Sequence, residues 1–381
     1  MLMEVLVVMP EQLPVPPILG GSVESAMHNV FRRMARTDSV RMISVSHPRL
    51  PTVSRLQGGR YTIHRIPYAN RRKAYLRAAV RKAKTLSFDI LQIENRPTFV
   101  AAFRKAFPEA KIVLSLHSLT FMSRLTKKEA YRVLRQTDAV VTVVSFLAES
   151  MRKKYPKYAH KFHSAILGVD TDQFRPRTEQ YRRKLRRKWK VDGGFNVLFV
   201  GRIVPKKGLH TLVRAVAEVK RSVPRTRLIA VGASWPGRRQ ETPYMRKVRR
   251  LSARLKVPIR FTGYIPPAKV HQAYALGDVF VCPTMYKEGF ATVNSEAMAS
   301  GVPVIASDRG GIREVIVHER TGLLVKAYRS PRAFAGAILR LRREPEAARR
   351  LADAARRTAE ERLSWNRTVE TLRAYYAKWR A

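Results

Sequence analysis

Short apolar runs alternate with amphipathic segments along this chain, and the whole alternation occurs twice. In the first half, strand-like runs lie at Val5–Met9, Val40–Val45, Asp89–Ile93, Lys111–Leu116 and Ala139–Val143. Segments with the helical spacing of apolar residues lie between them, at Ser22–Arg36, Arg71–Leu86 and Phe146–Tyr155. This order is typical of a parallel sheet covered by helices on both faces. It predicts an α/β domain.

The pattern begins again after a polar, basic interval at 171–192 and the pair Gly193-Gly194. The second set of strand-like runs is Asn196–Val200, Leu228–Val231, Ile259–Thr262, Val279–Cys282 and Pro303–Ala306. Helices are predicted to begin near Gly208, Pro243, Pro267 and Thr292. Two Rossmann-like, doubly wound sheets in tandem predict a central cleft, with ligands at the carboxyl ends of the strands.

These patterns predict three segments. Residues 1–175 form an N-terminal Rossmann-like domain, and residues 176–363 form a C-terminal Rossmann-like domain. Residues 364–381 contain the amphipathic stretch Trp365–Trp379, which we expect to pack back on the first domain. A chain of 381 residues is long enough for two cores of ordinary size.

The chain is strongly basic. It has 75 Lys and Arg against 28 Asp and Glu, a formal net charge of +47, so it attracts polyanions whatever its function. The basic residues are dispersed and no nucleic-acid-binding module is visible, so we expect no specific nucleic-acid partner. Most of the charge is interpreted as solvated helix faces. The alternative is peripheral contact with an anionic membrane or another polyanion.

The cysteine content and the N-terminus bear on location. Cys282 is the single cysteine, which excludes a disulfide within the chain and favours a reducing compartment. It ends a predicted core strand, so it is interpreted as a packing residue. The opening MLMEVLVVMP contains Glu4 and is too short for a signal peptide, and no stretch is long enough to span a membrane. A cytoplasmic protein, at most peripheral, is predicted.

Two carboxylates follow one predicted strand closely. The apolar run Asp278–Cys282 is stopped by Pro283, so Glu288 falls on the loop at the strand's carboxyl end. Apolar spacing becomes helical at Thr292, which puts Glu296 in the first two turns of a helix. Carboxylates at this edge suit a polyhydroxylated, sugar-like ligand. The alternative is a favourable first-turn acid and a solvated loop charge.

A basic loop follows the first strand of the second domain. In GRIVPKKG (201–208), Arg202, Lys206 and Lys207 surround a predicted helix N-terminus. Free amide donors and fixed positive charge at such a position favour an anion such as a diphosphate.

Two further features lie at strand ends of the first domain. Gly20-Gly21-Ser22 opens a helix, which fits either a close approach to an anion or a plain turn. His117 ends the strand KIVLSL at the same edge, which favours a functional role over a structural one.

No metal is predicted. Asp170 and Asp172 have the Asp-x-Asp spacing of a metal–nucleotide site, but they follow a predicted short strand at Ser164–Leu167 without other acids or histidines nearby. Arg202 and Lys207 can offset the charge on a departing diphosphate in place of a metal.

The motifs taken together resemble the retaining glycosyltransferases of family four, which have the GT-B fold. The resemblance covers nearly the whole chain and is specific in the second domain, where GRIVPKKG, FTGYIP, the Glu288–Glu296 pair and GVPVIASDRGGIREVI occur in order. The segments LPVPPILGG (13–21) and IENRP (93–97) are similar to spore-coat-associated members from endospore-forming bacteria.

The resemblance implies a nucleotide sugar as donor substrate, with no separate cofactor. The donor would be held mainly by the second domain, and the acceptor would approach mostly from the first, the acceptor-side domain. Arg202 and Lys207 would bind the diphosphate, Glu296 the ribose, and Glu288 the sugar near its reacting carbon. His117 would touch the sugar, and retention would follow from front-face attack.

The remaining donor contacts are implied in the same way. Gly21 would border the phosphates. Gly263, Tyr264 and Ile265 would lie beside the base, and the amides of Phe290, Ala291 and Thr292 would hold sugar hydroxyls or phosphate. The family usually has glycine where Ala291 stands, and a small or acidic residue often stands in place of Ser118, so the preferred sugar stays open.

The expected activity is metal-independent transfer of a hexose or N-acetylhexosamine to a cell-envelope, spore-coat or other polysaccharide or glycolipid acceptor. The basic helices Arg71–Lys84 and Lys127–Arg135 predict an acceptor that is anionic or membrane-associated. The corresponding locations are the cytoplasm, the inner face of the membrane or the spore coat. Two alternatives stay open: a catalytically weak structural or polyanion-binding coat protein, and a sugar-nucleotide epimerase.

Overall fold

The computed structural model describes residues 2–68, 71–235, 237 and 240–380. These residues divide into two compact units. The first contains the residues up to Leu167 together with those from Trp365, and the second is Gly168–Ser364. The first division therefore falls before the expected position at 176. Met1 and Ala381, the ends of two predicted segments, lie outside the described residues.

The first unit follows the βα alternation that the sequence predicts. Its strands are β1 (Glu4–Val8), β2 (Ser39–Val45), β3 (Val53–Leu56), β4 (Tyr61–Ile66), β5 (Ile90–Glu94), β6 (Lys111–Leu116), β7 (Ala139–Thr142) and β8 (Phe162–Ser164). Its helices are α1 (Ser22–Met34), α2 (Arg72–Ala83), α3 (Val100–Ala106), α4 (Thr120–Ser123), α5 (Lys127–Gln136), α6 (Ser145–Lys154) and α15 (Trp365–Arg380).

The described strands of this unit form one sheet in the order β3-β4-β2-β1-β5-β6-β7-β8. All neighbouring pairs are parallel except β3 and β4. The central strands β1 and β5 are buried along almost their whole length, as expected when helices cover both faces. Their carboxyl ends therefore lie at one edge, where Glu94 ends β5 and His117 follows β6.

Two features of the first unit differ from the sequence prediction. The hairpin of β3 and β4 was not predicted, because buried and half-buried residues alternate in β4 and no continuous apolar run marks it. The short strand expected at Ser164–Leu167 begins two residues earlier and ends at Ser164, since β8 pairs with β7 over Phe162–Ser164. Ala165 and Leu167 are buried although they follow the end of β8, so the apolar run in the sequence extends beyond the strand.

Helix α15 belongs to the first unit and contacts α1. Trp365, Val369, Leu372 and Tyr376 form its buried face. The Tyr376 hydroxyl donates to Oε1 of Gln92 in β5. The last helix of the chain is thus held by a strand near the centre of the first sheet.

The second unit contains a fully parallel sheet in the order β11-β10-β9-β12-β13-β14. Its strands are β9 (Phe195–Val200), β10 (Thr226–Val231), β11 (Ile259–Gly263), β12 (Val279–Cys282), β13 (Val304–Ser307) and β14 (Leu323–Val325). Its helices are α7 (Glu179–Lys188), α8 (Leu209–Ser222), α9 (Pro243–Arg254), α10 (Pro267–Ala273), α11 (Thr292–Ala299), α12 (Ile312–Val315), α13 (Pro331–Arg343) and α14 (Pro345–Arg362). The predicted two-domain α/β architecture is confirmed.

Helix α7 lies in the interval that looked only polar and basic. Arg182 and Arg186 of this helix donate to Oδ1 of Asp278 at 3.3 and 2.7 Å. The solvated-face interpretation is therefore wrong for these two arginines.

In the part of the chain that the structure describes, no helix is both long and apolar enough to cross a bilayer.

Candidate functional site

Glu288 lies on the loop that follows β12 in the second unit, as the sequence predicts. The residue is only 5% exposed. Its Oε1 accepts hydrogen bonds from the Thr284 hydroxyl at 3.0 Å and from Lys207 Nζ, and its Oε2 accepts one from the Tyr286 hydroxyl. The two carboxylate oxygens are thus oriented by three donors, one of them charged.

Lys207 comes to Glu288 from the loop after β9. Burial alone would lower the pKa of Lys207, but the Glu288 carboxylate outweighs it and the pKa lies above its ordinary value. Lys207 is therefore fully charged at neutral pH, in a position where its side chain is only 16% exposed. The Lys207 ammonium and the Glu288 carboxylate are held together at the carboxyl edge of the sheet. In such a poorly solvated position, this pair of charges would polarise a ligand that binds beside it.

Close backbone contacts bring the two loops together. Gly208 precedes α8 with φ +74°, and a Cβ at this position would lie 1.8 Å from the carbonyl oxygen of Pro283. The Met285 amide donates to the Lys206 carbonyl at 2.8 Å. The turn that carries Lys207 is thus fixed to the loop that carries Glu288, beside the N-terminus of α8.

Two more cations lie on this turn and the residues before it. The Arg202 guanidinium lies over the Trp235 ring, 5.5 Å from its centroid. Lys206 Nζ lies 4.7 Å from the centroid of the Tyr286 ring. Lys206 and Lys207 lie just before the N-terminus of α8, where positive charge and free amide donors suit an anionic group.

Glu296 lies in the second turn of α11 and faces Tyr274. The Tyr274 hydroxyl donates to Glu296 Oε2 at 2.6 Å. Burial raises the pKa of Glu296 to about 7, and the hydrogen bond from Tyr274 opposes that shift. Glu296 and Glu288 accept from different donors, so the two predicted carboxylates occupy separate environments on one loop–helix unit.

The residues that join Glu288 to α11 have unusual backbone. Phe290 is buried, Thr292 is the first residue of α11, and Ala291 between them has φ +54° and ψ +67°. This is the left-handed region, which residues with a side chain rarely adopt. The glycine usual in the family at this position has a physical reason here.

We expect the Ala291→Gly substitution to raise the free energy of unfolding by up to about 1 kcal/mol. A side chain costs about 1–2 kcal/mol in the left-handed region, while the added freedom of glycine in the unfolded chain offsets about 0.4–1 kcal/mol. Urea unfolding measures the difference. The matched control is Ala337→Gly inside α13, which should lower stability by about 0.5–1 kcal/mol. Equal losses at both positions would contradict the argument.

The segment expected beside the nucleotide base ends β11. Gly263 has φ +71°, and a Cβ there would meet no atom within 4 Å. Tyr264 and Ile265 follow it and are partly exposed. The segment therefore has open space beside it at the carboxyl edge of the second sheet.

In the first unit, His117 is held at two points. Its ring Nε2 lies 3.0 Å from Glu94 Oε2, and its backbone amide donates to Asn95 Oδ1 at 2.9 Å. Glu94 is fully buried and also accepts from Gln92 Nε2, which completes a hydrogen-bonded chain from Tyr376 to His117. The predicted residue is thus positioned by a carboxylate that sequence reasoning did not select.

A second set of ion pairs in the first unit is formed by the buried carboxylate of Glu11. The Glu11 carboxylate accepts from Arg96 Nε at 2.6 Å and from Arg72 Nε at 2.8 Å.

Gly21 is the residue before α1, and Glu24 in the first turn is 5% exposed. Burial raises the pKa of Glu24 to about 7. This position carries a buried acid that the glycine-loop prediction missed.

We expect Glu24→Gln to remove part of the protein's pH dependence of stability. The pKa of Glu24 is raised from 4.5 to about 7, so between these values the native state binds more protons than the unfolded chain and stability falls as pH rises. From pH 5 to pH 8, wild type should lose up to about 3 kcal/mol more than the variant. Urea unfolding at both pH values measures this. The same pH dependence in both proteins would refute it.

Other sequence-based interpretations concern Asp170, Asp172 and Cys282. Asp170 Oδ1 accepts from the Gln173 amide at 3.1 Å, which is a local turn contact. Among the described residues, no group of three or more His, Cys, Asp or Glu could hold a metal ion. Cys282 is buried, as predicted, and burial raises the pKa of its thiol to about 12.

The sequence of the chain matches two family models. Residues 181–358 match the family described as "Glycosyl transferases group 1", and residues 20–173 match "Glycosyltransferase Family 4". The first match covers most of the second unit, and the second lies mainly in the first unit.

Relatives extend along the whole chain. It is 29% identical over 381 residues to "Spore coat protein SA" of Bacillus subtilis, which covers 99% of this chain and 100% of that protein. It is 30% identical over 371 residues to "Putative glycosyltransferase YtcC" of the same organism, covering 96% and 90%. The crystal structure of HepE from Anabaena in complex with UDP-glucose superposes with a TM-score of 0.80 at 18% identity, covering 99% of this chain and 100% of that one.

Proposed function

Because this chain belongs to the glycosyltransferases with the GT-B fold, we propose that it transfers a hexose or N-acetylhexosamine from a nucleotide diphosphate sugar. The observation that carries this proposal is the buried pair of Lys207 and Glu288 at the carboxyl edge of the second sheet. The pair offers a cation for a diphosphate and, next to it, a carboxylate for sugar hydroxyls. The complex of HepE with UDP-glucose supports a nucleotide sugar of this kind.

We assign the donor contacts within the second unit as follows. Lys207, Arg202 and the N-terminus of α8 bind the diphosphate, because each supplies positive charge or free amide donors. Glu288 accepts from hydroxyls near the reacting carbon of the sugar. Glu296, which already accepts from Tyr274, binds the ribose. Gly263–Ile265 lies beside the base.

We propose that the reaction retains the configuration at the reacting carbon. The bond from that carbon to the diphosphate oxygen breaks, and the acceptor hydroxyl forms the new bond on the same face. The leaving phosphate takes the hydroxyl proton. Charge then builds on the departing diphosphate, where Lys207 and Arg202 stabilise it without a metal. In the first unit, His117, held by Glu94 and Asn95, contacts a sugar substrate.

The proposed acceptor is a cell-envelope, spore-coat or glycolipid glycan that is anionic or lies at an anionic membrane. The name "Spore coat protein SA" supports a spore-coat connection. Basic residues of α2 and α5 in the first unit favour an anionic partner. Binding to anionic vesicles should weaken as salt is added, and binding insensitive to salt would contradict this.

Thermal unfolding with a panel of nucleotide diphosphates and nucleotide sugars tests the proposal. A ligand of the folded state raises the midpoint by mass action, so one nucleotide sugar should do so selectively with a chelator present. A shift that requires magnesium would contradict metal independence. The product must be a glycosylated acceptor, because a changed free nucleotide sugar without any acceptor would identify an epimerase.

The second candidate is a polyanion-binding coat protein with little turnover. The net charge of +47 favours it. It predicts no midpoint shift with any nucleotide or nucleotide sugar, and shifts only with acidic polymers.

A further inference from the structure

A basic groove lies between α8 and α9 in the second unit, and the proposed donor site does not use it. The groove has a volume of about 570 Å³. Its lining includes His210, Arg214, Tyr244, Lys247, Arg250 and Arg254. We call it the α8–α9 groove.

The positive charge in the groove follows from helix periodicity. Lys247, Arg250 and Arg254 are three and then four positions apart on α9, so they lie on one face of that helix. Arg214 contributes a fourth cation from α8, and its Nη1 donates to the His210 carbonyl at 3.3 Å. None of the described residues that line the groove is Asp or Glu. Glu241, just before α9, pairs with Arg249 instead.

Tyr244 and His210 form the polar end of the groove. The Tyr244 hydroxyl oxygen accepts from the His210 backbone amide at 3.3 Å, and it lies 2.9 Å from His210 Nδ1. Burial lowers the pKa of His210, and Arg214 and Lys247 lower it further, which reflects the positive potential here.

Some cations elsewhere in the unit have carboxylate partners. Arg182 and Arg186 share Asp278, and Arg340 pairs with Glu319 and lies near Glu344. Four cations that line one cavity without a carboxylate repel one another, and this costs stability unless an anion binds among them.

We propose that the α8–α9 groove binds a linear phosphate polymer. Arginine guanidinium groups match phosphate oxygens with two parallel hydrogen bonds, and three of the four cations are arginines. The cations of α9 extend over about 10 Å of helix, from seven residues at 1.5 Å each, so a single phosphate reaches only some of them. The volume is that of a site for a ligand larger than one ion.

A bilayer fits this surface less well than a polymer does. Among the described residues, the large exposed hydrophobics are Leu2, Leu56 and Val317, and none of them lines the groove. The apolar residues that line the groove are Pro205 and the buried Leu251, which offer little to insert into a bilayer, whereas a concave, charged groove suits a polymer chain that enters it. The groove adjoins the turn of the proposed donor site through Pro205 and His210, and none of the described residues that line it is one of the proposed donor contacts. The polymer proposal therefore does not require transferase activity.

Calorimetric titration of the full chain with linear inorganic polyphosphate tests the proposal. The groove variant carries Lys247→Ala, Arg250→Ala and Arg254→Ala, three exposed positions. The control variant carries Arg349→Ala, Arg350→Ala and Arg357→Ala on the exposed side of α14, with the same loss of charge. At about 0.15 M salt, the groove variant should bind at least ~10-fold more weakly and the control within ~2-fold of wild type. The slope of log K against log salt should fall by about 2–3 in the groove variant only.

Each other outcome overturns the proposal. Equal weakening in both variants would show a diffuse field, and unchanged binding in the groove variant would place the polymer elsewhere. If orthophosphate at the same total phosphate bound as tightly, the groove would be a single-anion site. If anionic vesicles or a single-stranded oligonucleotide bound more tightly than polyphosphate, with the same dependence on the groove residues, the occupant would be a membrane or a nucleic acid.

Discussion

Lys207→Met is expected to lower the free energy of unfolding by about 3–5 kcal/mol. The substitution removes the cation that offsets the buried Glu288 carboxylate, and an uncompensated buried charge is among the most costly single changes. Glu288→Gln should be costly for the converse reason, because it leaves the Lys207 ammonium buried beside a neutral amide. Urea unfolding of both variants measures these losses.

The double variant Lys207→Met with Glu288→Gln separates stability from function. With neither charge present, it should recover most of the lost stability, since a neutral pair of similar volume is often no worse than a buried ion pair. Donor binding should not recover, because both proposed donor contacts are gone. A double variant that is as unstable as the sum of the singles would show that the two charges do not interact.

The readout for binding is the midpoint shift produced by the best nucleotide sugar of the panel. If the double variant kept the full shift, Lys207 and Glu288 would have no part in donor binding, while the ion-pair argument on stability would still stand. If the double variant lost the midpoint shift and kept its stability, Lys207 and Glu288 would be assigned to donor binding. The two conclusions are therefore tested independently.

Gly310→Ala is expected to reduce sugar transfer by about 100-fold or more. Gly310 has φ +61°, and a Cβ there would lie 2.3 Å from the carbonyl oxygen of Glu288 and 2.9 Å from its amide nitrogen. These are backbone atoms, so the whole Glu288 loop must move. The hydrogen bond from the Gly311 amide to the Glu288 carbonyl, 3.0 Å long, would be strained as well. A displacement of about 1 Å at a reacting centre typically costs ~100-fold.

The matched control for this prediction is Gly336→Ala. Gly336 lies exposed in α13, and a Cβ there would meet no atom within 4 Å. Alanine is the better helix former, so this variant should gain about 0.5–1 kcal/mol of stability and keep its transfer rate. Transfer by the Gly310 variant at the wild-type rate would mean that Glu288 is not close to the reacting atoms.

The sequence predicted the part of the site that local pattern controls. Pro283 and Gly301 bound the segment from the end of β12 to the end of α11, so periodicity placed Glu288 on the loop and Glu296 on the helix. The basic turn before α8 was predicted for the same reason. The edge of the sheet to which these residues belong follows from the parallel topology alone.

The sequence could not predict the partners across the fold. Lys207 and Glu288 are 81 positions apart, and only the packing of two loops brings their side chains together. Glu94 follows an apolar run that ends at Ile93, and its contact with His117 depends on the pairing of β5 with β6. The hairpin of β3 and β4 was missed because neither strand is a continuous apolar run: β4 alternates buried and half-buried residues, and β3 has no buried residue.

The return of α15 to the first unit has a consequence for folding during synthesis. Domains usually fold in the order in which the ribosome produces them. Here a series of hydrogen bonds runs from the Tyr376 hydroxyl through Gln92 and Glu94 to His117. The ribosome synthesises Tyr376 only after the whole of the second unit. The N-terminal unit is thus completed last, and His117 acquires its full support only when translation reaches α15. A nascent chain stalled before Trp365 would hold a folded second unit behind an unfinished first one.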